Sequence, residues 1–277
     1  MVAPDDHARS APLSVVNPVA AQHTYLRTSV RPSVLETYAN NRHQVDGPLR
    51  VFEIGFEYLP VEADLPHERT VLCAALGGTR ETRWPGAGQD RLDFFDAKGA
   101  VESILSGVGV SATFAPMVEF GLLEGHAAAV RVGKDAVGVL GQVHPENAAL
   151  FDIEEPVFLL ELWVEDLVRH LPERPEYQPA SKFPEVRQDL ALVVDNGVTA
   201  GRILEIARSH RSGAIRLRAD VFDEYRGKGV PEGKKSLALR LRFQASDRTL
   251  TDADVAKVQQ GLVTRLAKEL GAEVRGA

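Results

Sequence analysis

The fold of the C-terminal third is indicated most clearly by the stretch SLALRLRFQA, residues 236–245, in which apolar and polar side chains alternate. Successive side chains of an extended strand point to opposite faces, so the apolar ones share one face. They are Leu237, Leu239, Leu241 and Phe243. Arg240 and Arg242 fall on the other face. The stretch therefore predicts a strand with one face in a core and one face open.

The segments around this strand predict a β-α-β-β-α-β order. Strands are predicted at 189–195, 215–225, 236–245 and 272–275, and helices at 199–210 and 251–270. The last helix has an apolar stripe at helical spacing and opens with Thr251 and Asp254, a variant of the capping box. This order is that of a ferredoxin-like domain, and we expect both helices on one face of its sheet.

Cations are predicted on the open face of this sheet and in the hairpin beside it. The face would carry Arg216, Arg218, Arg240 and Arg242, with Phe222 and Tyr225 as candidate stacking residues. The connection at 226–235 adds Arg226, Lys228, Lys234 and Lys235 among three glycines, which would let the backbone approach a phosphate closely. Ferredoxin-like domains that bind RNA use such a face. The pattern is equally consistent with a solvated face beside a mobile hairpin.

The N-terminal part predicts a second α+β domain with a mainly antiparallel sheet. Strands are predicted at 49–59, 70–76, 127–132, 136–143 and 157–163, and helices at 29–44, 94–106 and 145–151. The residues Gly133-Lys-Asp135 predict a hairpin turn. Strands that follow one another through hairpins, with few crossover helices, favour antiparallel pairing.

Composition and charge agree with two domains. The chain has 277 residues, and four prolines within 171–184 predict an extended linker. We expect a disordered lead-in at 1–16, a first domain at 17–170, a linker at 171–182 and a second domain at 183–277. The net charge of −7 is uneven, because residues from Ala180 onward carry 18 Lys and Arg against 13 Asp and Glu. A polyanion would therefore bind the second domain.

Several classes of protein and site are not indicated. No stretch approaches the roughly 20 apolar residues of a membrane span, and the first residues lack the apolar core of a secretory signal. We therefore expect a cytoplasmic protein without membrane contact. The single cysteine, Cys73, is interpreted as a buried structural thiol. His126 and His144 lack a third ligand at a recognisable spacing, so no metal site is predicted.

Two long stretches, FPEVRQDLALVV at 183–194 and FDEYRGKGVPEGKKSLA at 222–238, resemble the ferredoxin-fold anticodon-binding domain of phenylalanyl-tRNA synthetases, as does RTLTD at 248–252. Upstream, LRTS at 26–29, VFEIG at 51–55, FFDAKGAVE at 94–102 and GVLGQVHPE at 138–146 are similar to the synthetase-like module of the bacterial-type β subunit. The resemblance covers nearly everything from residue 17 onward. It implies a class II synthetase-like antiparallel sheet followed by a ferredoxin-like domain.

The resemblance also implies a function. The enzyme of this family is an α2β2 phenylalanine–tRNA ligase that charges tRNA for phenylalanine, and its α subunit holds the active site and uses ATP and magnesium. The module at 17–170 would pack against α without catalysing, and the domain at 183–277 would contact the anticodon region. No cofactor, metal or catalytic residue is expected in this chain. Candidate tRNA-binding residues are Arg187, Arg216, Arg218, Phe222, Tyr225, Arg226, Lys228, Lys234, Lys235, Arg240 and Arg242. Candidate contacts to α are Arg27, Leu35 and Tyr38, although the helix stripe that contains Leu35 and Tyr38 is also consistent with a core position.

The catalytic motifs of class II synthetases are incomplete here. Their second motif has an arginine and a glutamate two positions later, whereas Arg50 and Glu53 are three apart; the strand at 157–163 lacks the glycines and terminal arginine of the third motif. Complete β subunits are also far longer, with a further tRNA-binding domain and an editing domain, so editing activity is not assigned. A free-standing adaptor that binds tRNA or a protein is the alternative to a working β-subunit part.

Overall fold

A computed structural model of the protein describes residues 12–20, 24–45, 47–61, 65–80, 90–173, 181–210 and 212–275. The chain divides into two units, Met1–Pro175 and Glu176–Ala277. Each unit is built from an antiparallel sheet and helices, which confirms the predicted α+β fold class. The predicted lead-in at 1–16 and linker at 171–182 fall largely outside the described residues, so these boundaries remain predictions.

The described part of the first unit contains six strands and four helices. In chain order they are α1 (Arg31–Arg42), β1 (Leu49–Leu59), β2 (His67–Gly77), α2 (Phe94–Gly107), β3 (Thr113–Pro116), β4 (Leu122–Val132), β5 (Asp135–Val143), α3 (Pro145–Ala149), β6 (Val157–Trp163) and α4 (Val164–Val168). The strands pair antiparallel in the order β1-β2-β6-β5-β4-β3. The predicted hairpin turn is confirmed, because Val132 pairs with Asp135 and Gly133 has a φ of 60°.

A hydrophobic core lies on each face of this sheet. Under α1, Val34, Leu35 and Tyr38 pack against Val71 and Val139. Under α2, the buried residues Ala97, Val101 and Leu105 pack against the opposite face. The central strand β6 is buried on both sides along almost its whole length, which explains why its sequence is a continuous apolar run and not an alternation.

The second unit has the predicted ferredoxin-like order. Its elements are β7 (Val186–Asp195), α5 (Ala200–Arg208), β8 (Ile215–Tyr225), β9 (Lys234–Ala245), α6 (Asp252–Leu270) and β10 (Glu273–Val274). The strands pair antiparallel in the order β10-β7-β9-β8. The core contains one side of each long strand and the apolar stripes of α5 and α6, so both helices cover the same face of the sheet. The opposite face is the one that carries the arginines.

The first turn of α6 is closed by a capping box. The Thr251 side chain accepts a hydrogen bond from the Asp254 backbone N–H at 3.3 Å, and the Asp254 carboxylate accepts one from the Thr251 N–H at 3.1 Å. We expect Thr251→Ala to lower the free energy of unfolding by about 1 kcal/mol, because a donor at the helix end loses its acceptor. Chemical denaturation would measure this loss. Thr264→Ala, on the exposed side of the same helix, is the matched control, and equal effects of both variants would contradict a capping role.

Candidate nucleic-acid interface

The open face of the second sheet presents its polar side chains in rows that cross three strands. Because β7, β9 and β8 are adjacent, residues in register stand side by side. One row consists of Arg187, Arg242 and Arg218 and is called the arginine row below. The next row consists of Asp189, Arg240 and Asp220. With neighbouring strands about 4.8 Å apart, the Cα atoms of the three arginines in a row span roughly 10 Å.

Like charges that stand side by side on a sheet repel one another, and carboxylates partly offset this repulsion. Arg242 pairs with Asp220, and Arg187 pairs with Glu185 at 2.7 Å. Arg218 is exposed and has no ion pair within the described part of the chain. The Nε of Arg242 is buried and finds no hydrogen-bond partner among the described residues. Arg218 therefore keeps donors that an anion could use, whereas the buried Nε of Arg242 is out of reach of a ligand.

An aromatic ring adjoins these rows. The pairing of β8 with β9 shifts between Val221 and Asp223, so that Phe222 is the additional residue of a bulge. Its ring is half exposed and lies 4.7 Å from the guanidinium carbon of Arg240, a cation–π contact. In the following row Ala191 stands beside Ala238. The face thus combines cations, the exposed ring of Phe222 and small side chains.

The hairpin at 226–233 is held close to this face by Tyr225. The Tyr225 hydroxyl donates to the Lys228 carbonyl at 3.4 Å, and the guanidinium of Arg275 lies 4.9 Å from the ring. Gly227 has a φ of 152°, and a Cβ there would stand 3.0 Å from the Tyr225 oxygen. A larger residue at this position would be strained in its backbone and would crowd the Tyr225 hydroxyl.

The cations around the hairpin are not equally available. Arg226 and Lys235 both pair with Glu224, and the hydrogen bond from Arg226, followed by the charge of Lys235, lowers the pKa of Glu224. Lys234 pairs with Glu273 at 2.8 Å. Lys234 and Lys235 begin β9 instead of lying in the loop as expected, and Lys235 is buried. Lys228 is exposed and has no ion pair in the part of the chain that the structure describes.

The eleven candidate tRNA-binding residues therefore separate into groups. The open face brings together Arg187, Arg216, Arg218, Phe222, Arg240 and Arg242, while Tyr225, Arg226 and Lys228 lie at the hairpin. Lys234 and Lys235 lie at the start of β9 and are paired with acidic residues from other strands. The sequence reasoning missed Arg275, whose contact with Tyr225 depends on β10 pairing beside β7. No local motif marks this residue.

In the first unit, two of the three expected contacts to a partner are core residues. Leu35 and Tyr38 are fully buried, and the Tyr38 hydroxyl donates to Glu155 at 2.6 Å. A buried side chain has no surface left for another chain, so this burial corrects the expectation for both residues. Arg27 is partly exposed, pairs with Glu53 at 2.6 Å and donates from Nε to the Phe56 carbonyl at 2.9 Å.

A buried network of charges fills the same side of the first sheet, below the start of α1. Arg31 is 1% exposed and pairs with Glu161 and Glu119, each at 2.7 Å. The indole of Trp163 donates to Glu161 at 2.8 Å. Arg69 pairs with Glu57 at 2.6 Å. These charged side chains form ion pairs with one another, as in a network that stabilises the fold.

Cys73, Asp93 and Asp96 have structural roles. No group of three or more His, Cys, Asp or Glu side chains is arranged to hold a metal ion among the described residues. Burial raises the pKa of the Cys73 thiol well above its usual value, with Glu161 adding to the effect. Asp93 and Asp96 form a capping box at the start of α2. None of the helices described is both long enough and apolar enough to cross a membrane.

Comparison with known proteins agrees with this architecture. Residues 1–164 match the family described as the phenylalanyl tRNA synthetase beta chain CLM domain, and residues 181–275 match the ferredoxin-fold anticodon binding domain. The chain is 39% identical to the phenylalanine–tRNA ligase beta subunit of Dehalococcoides mccartyi strain CBDB1, over 95% of this chain and 32% of that protein.

Other curated relatives match over a similar extent. The beta subunit from Syntrophotalea carbinolica is 37% identical over 98% of this chain and 34% of its own length. The beta subunit from Vibrio cholerae is 35% identical over 95% of this chain and 33% of its own length. The chain thus spans about a third of the length of these relatives. With matches in both units and an open arginine-bearing sheet in the second, the chain belongs to the phenylalanyl-tRNA synthetase β chain family.

Proposed function

We propose that this chain acts in the cytoplasm as the C-terminal part of a phenylalanyl-tRNA synthetase β subunit, and that its second unit binds the anticodon region of tRNA for phenylalanine. The α subunit would hold the active site and use ATP and magnesium for charging, while this chain binds neither. The observation that carries the proposal is the arginine row on the open face of a domain similar to anticodon-binding domains.

An RNA strand would bind this face through its phosphates and its bases. Guanidinium groups match phosphate oxygens in a two-pronged geometry, so the arginine row suits a backbone that crosses the strands. The exposed part of the Phe222 ring offers a surface on which a base can stack. Lys228 extends the cationic surface onto the hairpin. The domain boundaries at 17–170 and 183–277 are part of the proposal.

Titration of the 277-residue chain with tRNA for phenylalanine at several salt concentrations tests the RNA-binding part. The logarithm of the binding constant should fall linearly with the logarithm of the salt concentration, with a slope of about −0.7 to −0.9 for each phosphate neutralised. Absence of binding at low salt, or binding without salt dependence, would overturn it. A charging assay on the chain mixed with an α subunit then separates a working β-subunit part from a free-standing adaptor, which would bind tRNA but not α.

The contact to the α subunit is proposed to use the outer face of β1. Three alternate residues of this edge strand, Phe52, Ile54 and Phe56, are exposed. Phe52 and Ile54 stand beside the half-buried residues Ala74 and Leu72 of β2. An exposed apolar surface of this kind is typical of an interface between proteins. Arg27 lies on the opposite face of β1, where it pairs with Glu53 and covers Gly55, and it remains a candidate contact at the edge of the sheet.

We expect Phe52→Ala to weaken the complex with the α subunit by about 1–2 kcal/mol, roughly tenfold in affinity, because an aromatic side chain leaves the centre of the interface. Copurification and titration of the two subunits would measure the change. Phe95→Ala is the matched control, because Phe95 lies on α2 and is 72% exposed, the same fraction as Phe52. Equal affinity of the two variants would show that the partner does not contact β1.

A further inference from the structure

Two carboxylates stand within the cationic part of the open face. Asp189 on β7 and Asp220 on β8 flank Arg240 from both sides in register, and each of their side chains is about half exposed. Asp189 accepts two hydrogen bonds from Arg240, at 3.1 and 3.3 Å. Asp220 pairs with Arg242. The hydrogen bond from Arg240 to Asp189, with a further contribution from the charge of Asp220, raises the pKa of Arg240.

The ion pairs of Asp189 with Arg240 and of Asp220 with Arg242 are expected to add little to the folding stability of the domain. Exposed ion pairs contribute little to folding, because water already screens and solvates both partners. The carboxylates do, however, occupy the guanidinium donors that a phosphate would use, since both anions bind arginine in the same two-pronged geometry. The pairs therefore affect how an anion binds more than how the domain folds.

We propose that Asp189 and Asp220 compete with RNA phosphates for Arg240 and Arg242, and so keep the affinity of this face for RNA below what its arginines would otherwise provide. The inference rests on the proposed function, because it requires that RNA binds the open face. A phosphate that reaches Arg240 or Arg242 must displace a carboxylate of the same sheet. The face then exchanges its ligand faster than an uncompensated cationic surface would.

A positioning role for the two aspartates predicts the opposite sign. If they mainly held the guanidinium groups in the orientation that RNA needs, their removal would disorder Arg240 and Arg242 and weaken binding. Competition predicts tighter binding when the carboxylates lose their charge. The direction of the change therefore distinguishes the two roles without any assumption about the size of either effect.

The test uses the whole chain and tRNA for phenylalanine, with the isosteric variants Asp189→Asn and Asp220→Asn. Each should bind about twofold to fivefold more tightly at low salt, which is the strength of an exposed ion pair. The double variant should show both gains and a steeper salt dependence, because two more cations meet phosphates. Asp189→Glu, which keeps the charge, should stay within about twofold of the unmodified chain.

Glu205→Gln is the matched control for net charge. Glu205 is an exposed carboxylate paired with Arg202 at 2.8 Å, and it lies on α5, which covers the other face of the sheet. Gains no larger than that of Glu205→Gln would overturn the inference, as would weaker binding of the two Asn variants. The unmodified chain is measured first: if it binds no RNA, the proposed function itself fails, whereas binding that the Asn variants do not strengthen refutes only the competition.

Discussion

Arg31→Met is expected to lower the free energy of unfolding of the first unit by about 3–5 kcal/mol. Arg31 is buried between Glu161 and Glu119 and also donates to the Phe120 carbonyl at 3.2 Å. Burial opposes its charge, but the two carboxylates outweigh this and raise its pKa. Methionine fills a similar volume without the charge, so the buried Glu161 carboxylate loses its counterion. The loss comes from that uncompensated charge and not from a cavity.

Denaturation followed by tryptophan fluorescence would measure this effect, because both tryptophans of the chain, Trp84 and Trp163, belong to the first unit. Arg50→Met is the control for losing an arginine, since Arg50 is exposed on β1. Adding Glu161→Gln to Arg31→Met should recover part of the stability, because the second change removes the uncompensated charge. A loss below about 1 kcal/mol in Arg31→Met would show that solvent or other groups reach Glu161.

The second large effect is expected from the arginine row. Replacing Arg187, Arg218 and Arg242 together by glutamine should weaken binding of tRNA for phenylalanine by about 3 kcal/mol, roughly a hundredfold, because three charged hydrogen-bond donors are lost at once. Asp220 would also lose the cation that it pairs with, which adds repulsion of the RNA. The slope of the logarithm of the binding constant against the logarithm of the salt concentration should become shallower, by an amount that corresponds to about two to three fewer neutralised phosphates.

Affinity and salt dependence would be measured in the same titration as for the unmodified chain. The control is Arg202→Gln, Arg208→Gln and Lys257→Gln together, which removes the same charge from exposed positions on α5 and α6. These helices cover the opposite face of the sheet. The control variant should therefore lose only the small part of the RNA affinity that depends on net charge. If both triple variants bind equally weakly, RNA does not use the open face.

Strong local patterns predicted most elements. The bounds of the strands at 49–59, 157–163 and 215–225 agree with β1, β6 and β8 because alternation or an apolar run extends to both ends. The strand β3 and the helix α4 were missed, since both are too short to establish a period and neither begins with a proline, as the equally short helix α3 does. The start of β9 at Lys234 was missed because lysine gives no apolar signal, although its backbone pairs with Asp195.

The candidate contacts of the first unit show a different limit of prediction from sequence. Leu35 and Tyr38 share one face of α1, and an apolar helix face predicts burial without saying against what. The resemblance suggested another subunit, whereas the structure buries both residues against the sheet of the same unit. The exposed apolar residues are on β1 instead. Their exposure follows from β1 being an edge strand whose outer face α2 does not cover, and strand order is a tertiary property.

The sequence alone determined which side chains share a face, because the backbone of an extended strand turns successive side chains to opposite sides whatever its neighbours are. The alternation by itself therefore assigns Arg218, Arg240 and Arg242 to the open side of the sheet. Only the tertiary structure decided which residues stand next to each other, because register depends on turns and core packing that join distant segments. That register aligns Arg187 with Arg242 and Arg218, and it sets Asp189 and Asp220 on either side of Arg240.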